Sequence, residues 1–284
     1  MTEDHMTDGF ATRVAKAVAV TGPLCAGIDP SADLLADWGL PDSAVGLRTF
    51  GLTCVEAFTE VVPVVKPQVA FFERLGSDGL AALEDVLAAC RDAGLLAIAD
   101  AKRGDIGSTM EAYAAAWLDP TSPLAADAMT VTPYVGLGAL QPAFDLAAAS
   151  GRGVIVVTRS SNPEGRALQT AATAAGPSVE DQLLADIAAL NDGGLAVAGT
   201  VGVVIGATLE PSAFDLADLG GVILAPGVGV QGGTAQDVGR LFGACAPGTV
   251  LPSASRSLLA AGPDVGALRE AAMAERERLR ATLG

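Results

Sequence analysis

Short apolar runs rich in β-branched residues alternate along the chain with longer stretches rich in alanine and leucine. The runs have the length and composition of strands, and the stretches have the spacing of helices with one apolar face. Eight strands are predicted, at residues 24–29, 61–66, 95–102, 128–133, 154–158, 201–205, 222–225 and 250–253. Each is followed by a predicted helix, near 48–60, 77–93, 108–118, 136–149, 178–192, 211–219, 234–244 and 264–283, and an extra helix near 8–20 precedes the first strand.

Two of these strands, 154–158 and 201–205, are almost continuously apolar. Strands that are buried on both faces have this composition, and they belong to parallel sheets covered by helices. Eight strand–helix units in about 250 residues fit an α/β fold, the (β/α)8 TIM barrel. An open, doubly wound sheet is the alternative, because a count of units does not show that the sheet closes. No linker rich in proline, glycine and serine divides the chain. Residues 1–284 are therefore predicted to form one TIM-barrel domain, with 1–7 as a flexible tail.

Composition and charge narrow the classes of function. Half of the 284 residues are hydrophobic and 18% are charged, which predicts a large buried core. The net charge of −16 repels phosphate backbones and anionic lipids, so neither nucleic acid nor a membrane is expected as a partner. His5 is the only histidine, which disfavours serine–histidine catalysis and histidine-rich metal sites. The four cysteines are scattered, and no run of about 18 apolar residues occurs, so the chain is expected in the cytoplasm.

Ionisable side chains follow the apolar runs of the first three strands, where a barrel carries its active site. Asp29 ends the first strand and Lys66 the second. In the third strand, Asp100 and Lys102 share the parity of the apolar residues before them, so both are predicted to face the barrel interior. Asp105 lies beyond the strand and can reach this site or that of a neighbouring subunit. The alternating charges are either catalytic or a structural ion-pair cluster at the barrel mouth.

The last two strand–helix units carry a candidate phosphate site. Residues 225–234 end the seventh strand with a glycine-rich turn and open a helix, and backbone N–H groups in such turns bind anions. Arg256 follows the eighth strand, and loops seven and eight commonly bind phosphate in TIM barrels. Gly227, Gly229 and Gly232 also spell the G-x-G-x-x-G pattern of dinucleotide-binding proteins. That pattern comes late in the chain and no acidic residue follows it near position 250, so a dinucleotide site is not expected.

The third strand and its continuation carry a family signature. The run from Asp100 to Ile106, with Thr109 after it, resembles the D-x-K-x-x-D-I signature of the orotidine 5′-phosphate decarboxylases, and 27–30 and Lys66 resemble other parts of that family. Segments similar to its longer bacterial subgroup lie at 130–134, 160–163, 204–208, 226–227, 231–233 and 255–257. The resemblance covers nearly the whole chain. It implies conversion of orotidine 5′-phosphate to UMP and CO2 in pyrimidine biosynthesis, with no cofactor and no metal.

The resemblance also implies a role for each matching residue. Lys102 would donate a proton to C6 of the pyrimidine, Asp100 would lie beside the substrate carboxylate, and Lys66 would join this charge network. The partner subunit of a homodimer with shared active sites would contribute Asp105, Ile106 and Thr109. Asp29 would bind the ribose, and Ser161 or the adjacent Ser160 the pyrimidine. The phosphate would be bound by Gln231, Gly232, Gly233 and Arg256.

Two other functions stay open on the residues alone. The D-x-K-x-x-D pattern also occurs in related sugar-phosphate barrels. A magnesium-dependent aldolase or decarboxylase of that kind would hold its metal with Asp29, Asp100 and neighbouring carboxylates. A barrel that binds a phosphate without catalysis is the other possibility. A pure binder has no evident need for buried alternating charges, so the decarboxylase is the favoured function.

Overall fold

The computed structural model describes residues 8–228 and 232–283, and its eight parallel strands form a closed barrel in chain order. The strands are β1 Cys25–Ile28, β2 Val64–Pro67, β3 Leu96–Arg103, β4 Ala128–Val131, β5 Gly153–Arg159, β6 Val201–Ile205, β7 Ile223–Pro226 and β8 Val250–Ala254. Cys25 of β1 pairs with Ser253 of β8 and closes the ring. The fold is therefore the predicted (β/α)8 barrel and not an open sheet. The predicted tail, 1–7 with His5, lies outside the described residues.

Helices connect the strands and cover the outside of the barrel. They are α1 Phe10–Thr21, α2 Ala32–Asp37, α3 Ala44–Phe58, α4 Val69–Glu73, α5 Gly76–Asp92, α6 Gly107–Leu118, α7 Gln141–Ser150, α8 Arg166–Gln169, α9 Val179–Ala189, α10 Ala235–Phe242, α11 Arg256–Leu259 and α12 Val265–Leu283. The short helices α2, α4, α8 and α11 have no counterpart in the sequence prediction. Within the described ranges, no helix combines the length and the apolar composition that a bilayer crossing requires.

The extra N-terminal helix, α1, closes the end of the barrel at which the strands begin. Phe10 and Val14 are buried and belong to the same apolar cluster as Val64 and Ile98 inside the barrel. The Phe10 ring fills the space at the start of β5, where a β-carbon on Gly153 would lie 2.4 Å from Phe10 Cδ1. The N-terminal ends of the strands are thus plugged, and a site has to lie at their C-terminal ends.

The helix predicted near 211–219 is wrong. This connection between β6 and β7, all of which is described, contains a 3-10 turn, Leu216–Asp218, and no α-helix. The Asp215 carboxylate accepts a hydrogen bond from the backbone N–H of Ala217. Short polar side chains that bind the local backbone in this way compete with helix formation, and Pro211 cannot donate a backbone hydrogen bond.

Strand alternation sorts the core into two layers. Val64 and Ile98 point into the barrel, whereas Val65 packs outward against the helices. Two residues further along their strands, Lys66 and Asp100 take inward positions above this apolar floor, because side chains of a strand repeat with a period of two. The alternation that buries the core therefore also brings opposite charges together at the open end of the barrel.

Candidate active site

A cleft of about 300 Å³ opens at the C-terminal ends of the strands. It brings together six residues that the sequence predicted for the site, namely Asp29, Lys66, Asp100, Lys102, Ser161 and Arg256. Gln68, Ser253 and Ser255, to which sequence reasoning gave no role, also line it. Gln68 shares the parity of Lys66 in the sequence, and this signal could have found it. The cleft is assembled from strand ends on several sides of the barrel.

Asp100 is the centre of a charged hydrogen-bond network. Its Oδ2 accepts hydrogen bonds from Lys66 Nζ and Gln68 Nε2, both at 2.8 Å. Its Oδ1 accepts hydrogen bonds from Lys102 Nζ at 2.6 Å and from the Thr130 hydroxyl at 2.9 Å. A carboxylate has about four acceptor sites, so the donors saturate Asp100 and hold it in one orientation.

Burial and charge shift two pKa values in this network. Burial raises the pKa of Asp100, but the charges of Lys66 and Lys102 outweigh burial and hold that pKa well below its usual value. Burial lowers the pKa of Lys66, but the charges of Asp100 and Asp29 outweigh it, so the pKa of Lys66 lies above its usual value. Lys66 and Asp100 are therefore both charged throughout the neutral pH range.

Lys102 departs from the regular alternation that the sequence predicted. Its backbone has φ = 46°, in the left-handed region, and the pairing of β3 with β4 shifts register between Ala99 and Arg103. The Lys102 side chain is 49% exposed, whereas that of Asp100 is 9% exposed. Its ammonium nevertheless returns to Asp100. The predicted contact between the two charges is present, although an irregularity in the strand creates it.

Asp29 lies where β1 meets the loop after β8. Its Oδ2 accepts a hydrogen bond from the Ser255 hydroxyl, and its Oδ1 is buried without a hydrogen-bond partner in the described part of the chain. The two segments approach closely, because a β-carbon on Gly27 would lie 2.6 Å from Ser255 Cβ. A buried acceptor without a partner is costly, so this oxygen is suited to a hydroxyl of a bound ligand.

The turn after β5 offers two serines to the cleft, and they differ in their contacts. Gln169 of α8 accepts a hydrogen bond from the backbone N–H of Ser160 at 3.1 Å and donates one to the Ser160 hydroxyl at 2.8 Å. Among the described residues, no side chain or backbone group forms a hydrogen bond with the Ser161 hydroxyl. Ser161 is therefore the serine of the pair whose hydroxyl is available to a ligand.

The predicted phosphate corner is described in part, since Gln231 lies outside the described residues. Gly232 has φ = 88°, a conformation that favours glycine, and a β-carbon on Gly233 would lie 2.5 Å from the carbonyl oxygen of Gly227. The turn lines the cleft through Gly227, whereas Gly232 and Gly233 are not among the lining residues. Arg256 lines the same cleft at the start of α11.

Besides Gly232 and Gly233, the predicted site residues Asp105, Ile106 and Thr109 do not line this cleft in their own chain. They lie beyond β3, where the Asp105 carboxylate accepts a hydrogen bond from the backbone N–H of Ile106 at 2.8 Å. Ile106 is 62% exposed, and Thr109 is exposed as well. A single chain therefore leaves these residues outside the site.

The Asp100 carboxylate of the cleft is arranged for ion pairing. Within residues 8–228 and 232–283, no three His, Cys, Asp or Glu side chains lie close enough together to hold a metal ion. Asp100, a metal ligand in the aldolase alternative, has its oxygens filled by two ammonium groups, an amide and a hydroxyl. Hard divalent cations need free carboxylate oxygens, so this environment suits a paired carboxylate.

Sequence and structural similarity identify the family. The family model "Orotidine 5′-phosphate decarboxylase / HUMPS family" matches residues 22–271. The orotidine 5′-phosphate decarboxylase of Corynebacterium efficiens is 55% identical over 269 residues, which cover 94% of this chain and 95% of the relative. That of Salinispora arenicola is 54% identical over 265 residues, which cover 93% and 95%.

Solved structures agree with these relatives. A crystal structure from Streptomyces avermitilis, provisionally named an orotidine 5′-phosphate decarboxylase, has a TM-score of 0.93 at 49% identity and covers 100% of this chain and 99% of its own. The OMP decarboxylase of Leishmania donovani has a TM-score of 0.72 at 28% identity, with 96% and 98% covered. By the extent of these matches, the chain belongs to the orotidine 5′-phosphate decarboxylase / HUMPS family.

Proposed function

We propose that this chain is an orotidine 5′-phosphate decarboxylase, which converts orotidine 5′-phosphate to UMP and CO2 without a cofactor, as a step of de novo pyrimidine biosynthesis. The observation that carries the proposal is the pair of lysines around Asp100, because they place positive charge beside a fixed carboxylate at the cleft. The names of the relatives from Corynebacterium efficiens and Salinispora arenicola support the substrate.

Lys102 is the proton donor in this proposal. Loss of CO2 breaks the bond between C6 and the carboxylate carbon and leaves the electron pair on C6. No cofactor delocalises that pair, so its stabilisation has to come from charges that are already in place. The Lys102 ammonium, held 2.6 Å from Asp100 Oδ1 on the exposed side of the network, stabilises the developing charge. It then donates the proton that completes UMP.

Asp100 and Lys66 prepare the site for this step. With substrate bound, the Asp100 carboxylate lies beside the carboxylate that leaves, and departure of CO2 relieves the repulsion between them. Lys66 is buried and paired with Asp100 Oδ2, so it offsets the charge of Asp100 and keeps it in place. The Asp100 carboxylate also holds the Lys102 ammonium, which links ground-state repulsion and proton donation through one side chain.

The rest of the substrate is bound around this network. The buried Oδ1 of Asp29 accepts a hydrogen bond from a ribose hydroxyl, and Ser161 contacts the amide edge of the pyrimidine. The phosphate binds Arg256, which lines the cleft, and the glycine-rich turn, which reaches the cleft at Gly227. In the sequence this turn carries Gln231, Gly232 and Gly233. Binding energy at this remote phosphate offsets the desolvation of the charged groups at the reacting carbon.

We further propose a homodimer with shared active sites, to which the partner contributes Asp105, Ile106 and Thr109. These residues lie outside the cleft of their own chain. Large exposed apolar side chains occur on the connections after β3, β4 and β5, namely Ile106, Tyr134, Val135 and Leu168. The three strands are neighbours in the barrel, and Tyr134 and Leu168 line one groove. An apolar face of this kind marks a contact surface, and a second copy of the chain would cover it.

We infer that the protein acts in the cytoplasm. All four cysteines are free, and Cys25, Cys54 and Cys90 are buried. Burial raises the pKa of the Cys90 thiol to about 12, so this side chain behaves as a small apolar group. Free buried thiols are typical of proteins in a reducing compartment.

Turnover of orotidine 5′-phosphate by the purified protein, followed by ultraviolet absorbance in excess EDTA, tests the proposal. We expect conversion without added metal. Lys102→Ala should lower kcat by about 1,000-fold or more, because the proton donor is lost. Lys16→Ala, the same change on the exposed face of α1, should leave kcat unchanged. Turnover that requires Mg²⁺ would instead favour the metal-dependent barrel, and binding without turnover would favour a phosphate-binding protein.

A further inference from the structure

Lys102 has a backbone conformation that its surroundings must hold. A residue with a β-carbon rarely adopts a φ of 46°, because the β-carbon crowds the neighbouring carbonyl. Conformations of this kind persist where the surrounding structure fixes them, and they cluster at active sites. The residues that contact the Lys102 backbone are therefore candidates for residues that fix the position of its ammonium.

The irregularity lies where β3 passes β4. Regular pairing stops at Ala99 with Met129 and resumes at Arg103 with Val131, so the three residues in between face Thr130 alone. The backbone N–H of Lys102 donates to the Thr130 hydroxyl at 2.9 Å, in place of a strand partner. The Thr130 side chain thus replaces a hydrogen bond that a regular strand pair would make.

The Thr130 hydroxyl closes a ring of hydrogen bonds around Lys102. It accepts from Lys102 N, it donates to Asp100 Oδ1 at 2.9 Å, and the same Oδ1 accepts from Lys102 Nζ at 2.6 Å. The direction of each bond follows from the chemistry, because a backbone N–H can only donate and a carboxylate can only accept. Thr130 is fully buried, so water does not compete for its hydroxyl.

We propose that Thr130 is a positioning residue for the proton donor, an inference that rests on the proposed decarboxylase function. One hydroxyl fixes the backbone of Lys102 directly and its ammonium through Asp100, so the long side chain is held at both ends. Thr130 is not among the residues that line the cleft. Its loss should therefore displace the ammonium from C6 without removing a contact to the substrate.

The test compares two substitutions at Thr130 with one elsewhere. Thr130→Val keeps the shape of the side chain and removes the hydroxyl, and it should lower kcat by about 10- to 100-fold, because a shift of about 1 Å in a catalytic group has an effect of this size. KM should stay within about threefold of the wild type, since no substrate contact is lost. Thr130→Ser keeps the hydroxyl, and its kcat should stay within about threefold of the wild type.

Thr200→Val is the matched control. Thr200 is 1% exposed at the N-terminal end of β6, and its hydroxyl donates to the carbonyl of Val197 at 2.6 Å. The substitution is the same chemical change in a buried position at the opposite end of the barrel. It should lower the melting temperature, as Thr130→Val does, but leave both kcat and KM unchanged. A purely structural role of Thr130 would instead give both variants a lower melting temperature with kcat unchanged.

Several outcomes would overturn the inference. The first is a kcat of Thr130→Val within about threefold of the wild type. The second is a loss of kcat in Thr130→Ser equal to that in Thr130→Val, and the third is a Thr130→Val variant in which KM changes and kcat does not. If Thr130→Val does not fold, Thr130→Ala compared with Thr130→Ser is judged by the same criteria. The wild type is assayed first. A wild type without turnover contradicts the proposed function, whereas an active wild type with an equally active Thr130→Val contradicts the role of Thr130 alone.

Discussion

At the scale of single residues, Lys66 and Asp100 show how a charged pair is kept in the barrel interior. Their side chains are 8% and 9% exposed and lie above an apolar floor. Both stay charged because the opposite charges and hydrogen bonds of the network outweigh the effect of burial. The same arrangement makes each partner depend on the other, since removing one leaves a buried charge without compensation.

Asp100→Asn should therefore lower the free energy of unfolding, by about 3 kcal/mol at pH 7. The pKa of Asp100 is depressed in the folded state, so its contribution is complete above the unfolded pKa and is lost as the pH falls through the folded pKa. The difference in unfolding free energy between wild type and variant should be constant from about pH 5 to pH 8 and shrink below about pH 4. Urea unfolding at a series of pH values measures it.

Asp85→Asn is the control for this measurement. Asp85 pairs with Arg48 at the surface, where both side chains are about half exposed. Exposed pairs of this kind contribute less than about 1 kcal/mol, so its substitution should change little at any pH. A difference for Asp100→Asn that did not shrink in acid would show that the charge of Asp100 is not what stabilises the fold.

Arg256 gives a second prediction at this scale. Arg256→Ala should lower kcat/KM for orotidine 5′-phosphate by about 10- to 100-fold, because a hydrogen bond to a charged group contributes about 1.5–3 kcal/mol. Orotidine, which has no phosphate, should be turned over by the variant and the wild type with the same kcat/KM. An equal loss with both substrates would show that Arg256 acts on the fold of the cleft and not on the phosphate.

At the scale of elements, the connection after β5 is tied to the cleft by Gln169. Its amide holds both the backbone N–H and the hydroxyl of Ser160, at the start of a connection that runs to α9. A β-carbon on Gly165 would lie 2.7 Å from the Ser160 hydroxyl, so the turn is closely packed around this contact. The short helix α8 thus fixes the strand end that offers Ser161 to the cleft.

Gln169→Leu should accordingly lower kcat/KM for orotidine 5′-phosphate, by about tenfold, because the turn with Ser161 is no longer fixed before substrate binds. Gln141→Leu is the matched control, since Gln141 of α7 donates its hydrogen bond at 2.8 Å to Asp145 of the same helix and lines neither the cleft nor the groove that contains Tyr134 and Leu168. Steady-state kcat and KM of both variants and of the wild type test this prediction. Equal kinetic constants for Gln169→Leu and the wild type would separate α8 from the cleft.

The same scale shows what the sequence could predict. β6, a continuous apolar run, has the predicted bounds of 201–205. Asp29, Lys66, Asp100 and Lys102, at the C-terminal ends of β1 to β3, reach the cleft as predicted, because burial and strand parity leave a periodic pattern. The left-handed Lys102 and its contact with Thr130 leave no such pattern, since they depend on how β3 slips past β4. The predicted helix at 211–219 failed for a similar reason, because local side-chain contacts outweigh average propensity there.

At the scale of the whole molecule, charge is distributed unevenly. The net charge is −16, yet two of the three lysines in the chain, Lys66 and Lys102, line the cleft. The acidic surface disfavours polyanions, whereas the cleft offers positive charge to a small anion that can enter it. The net charge thus describes which large partners are excluded and says little about the substrate.

The proposed dimer supplies the last prediction, a complementation experiment. Lys102→Ala and Asp105→Ala should each be inactive alone. If Asp105 completes the site of the partner, a heterodimer of the two has one intact site and one with both substitutions. Random exchange of subunits makes about half of the dimers mixed, so the mixture should regain about a quarter of the wild-type activity.

A mixture of Lys102→Ala with Asp100→Ala is the control and should regain none, because Asp100 and Lys102 line the cleft of the same chain. Equal recovery in both mixtures, or none in the first, would contradict sites that are shared between subunits.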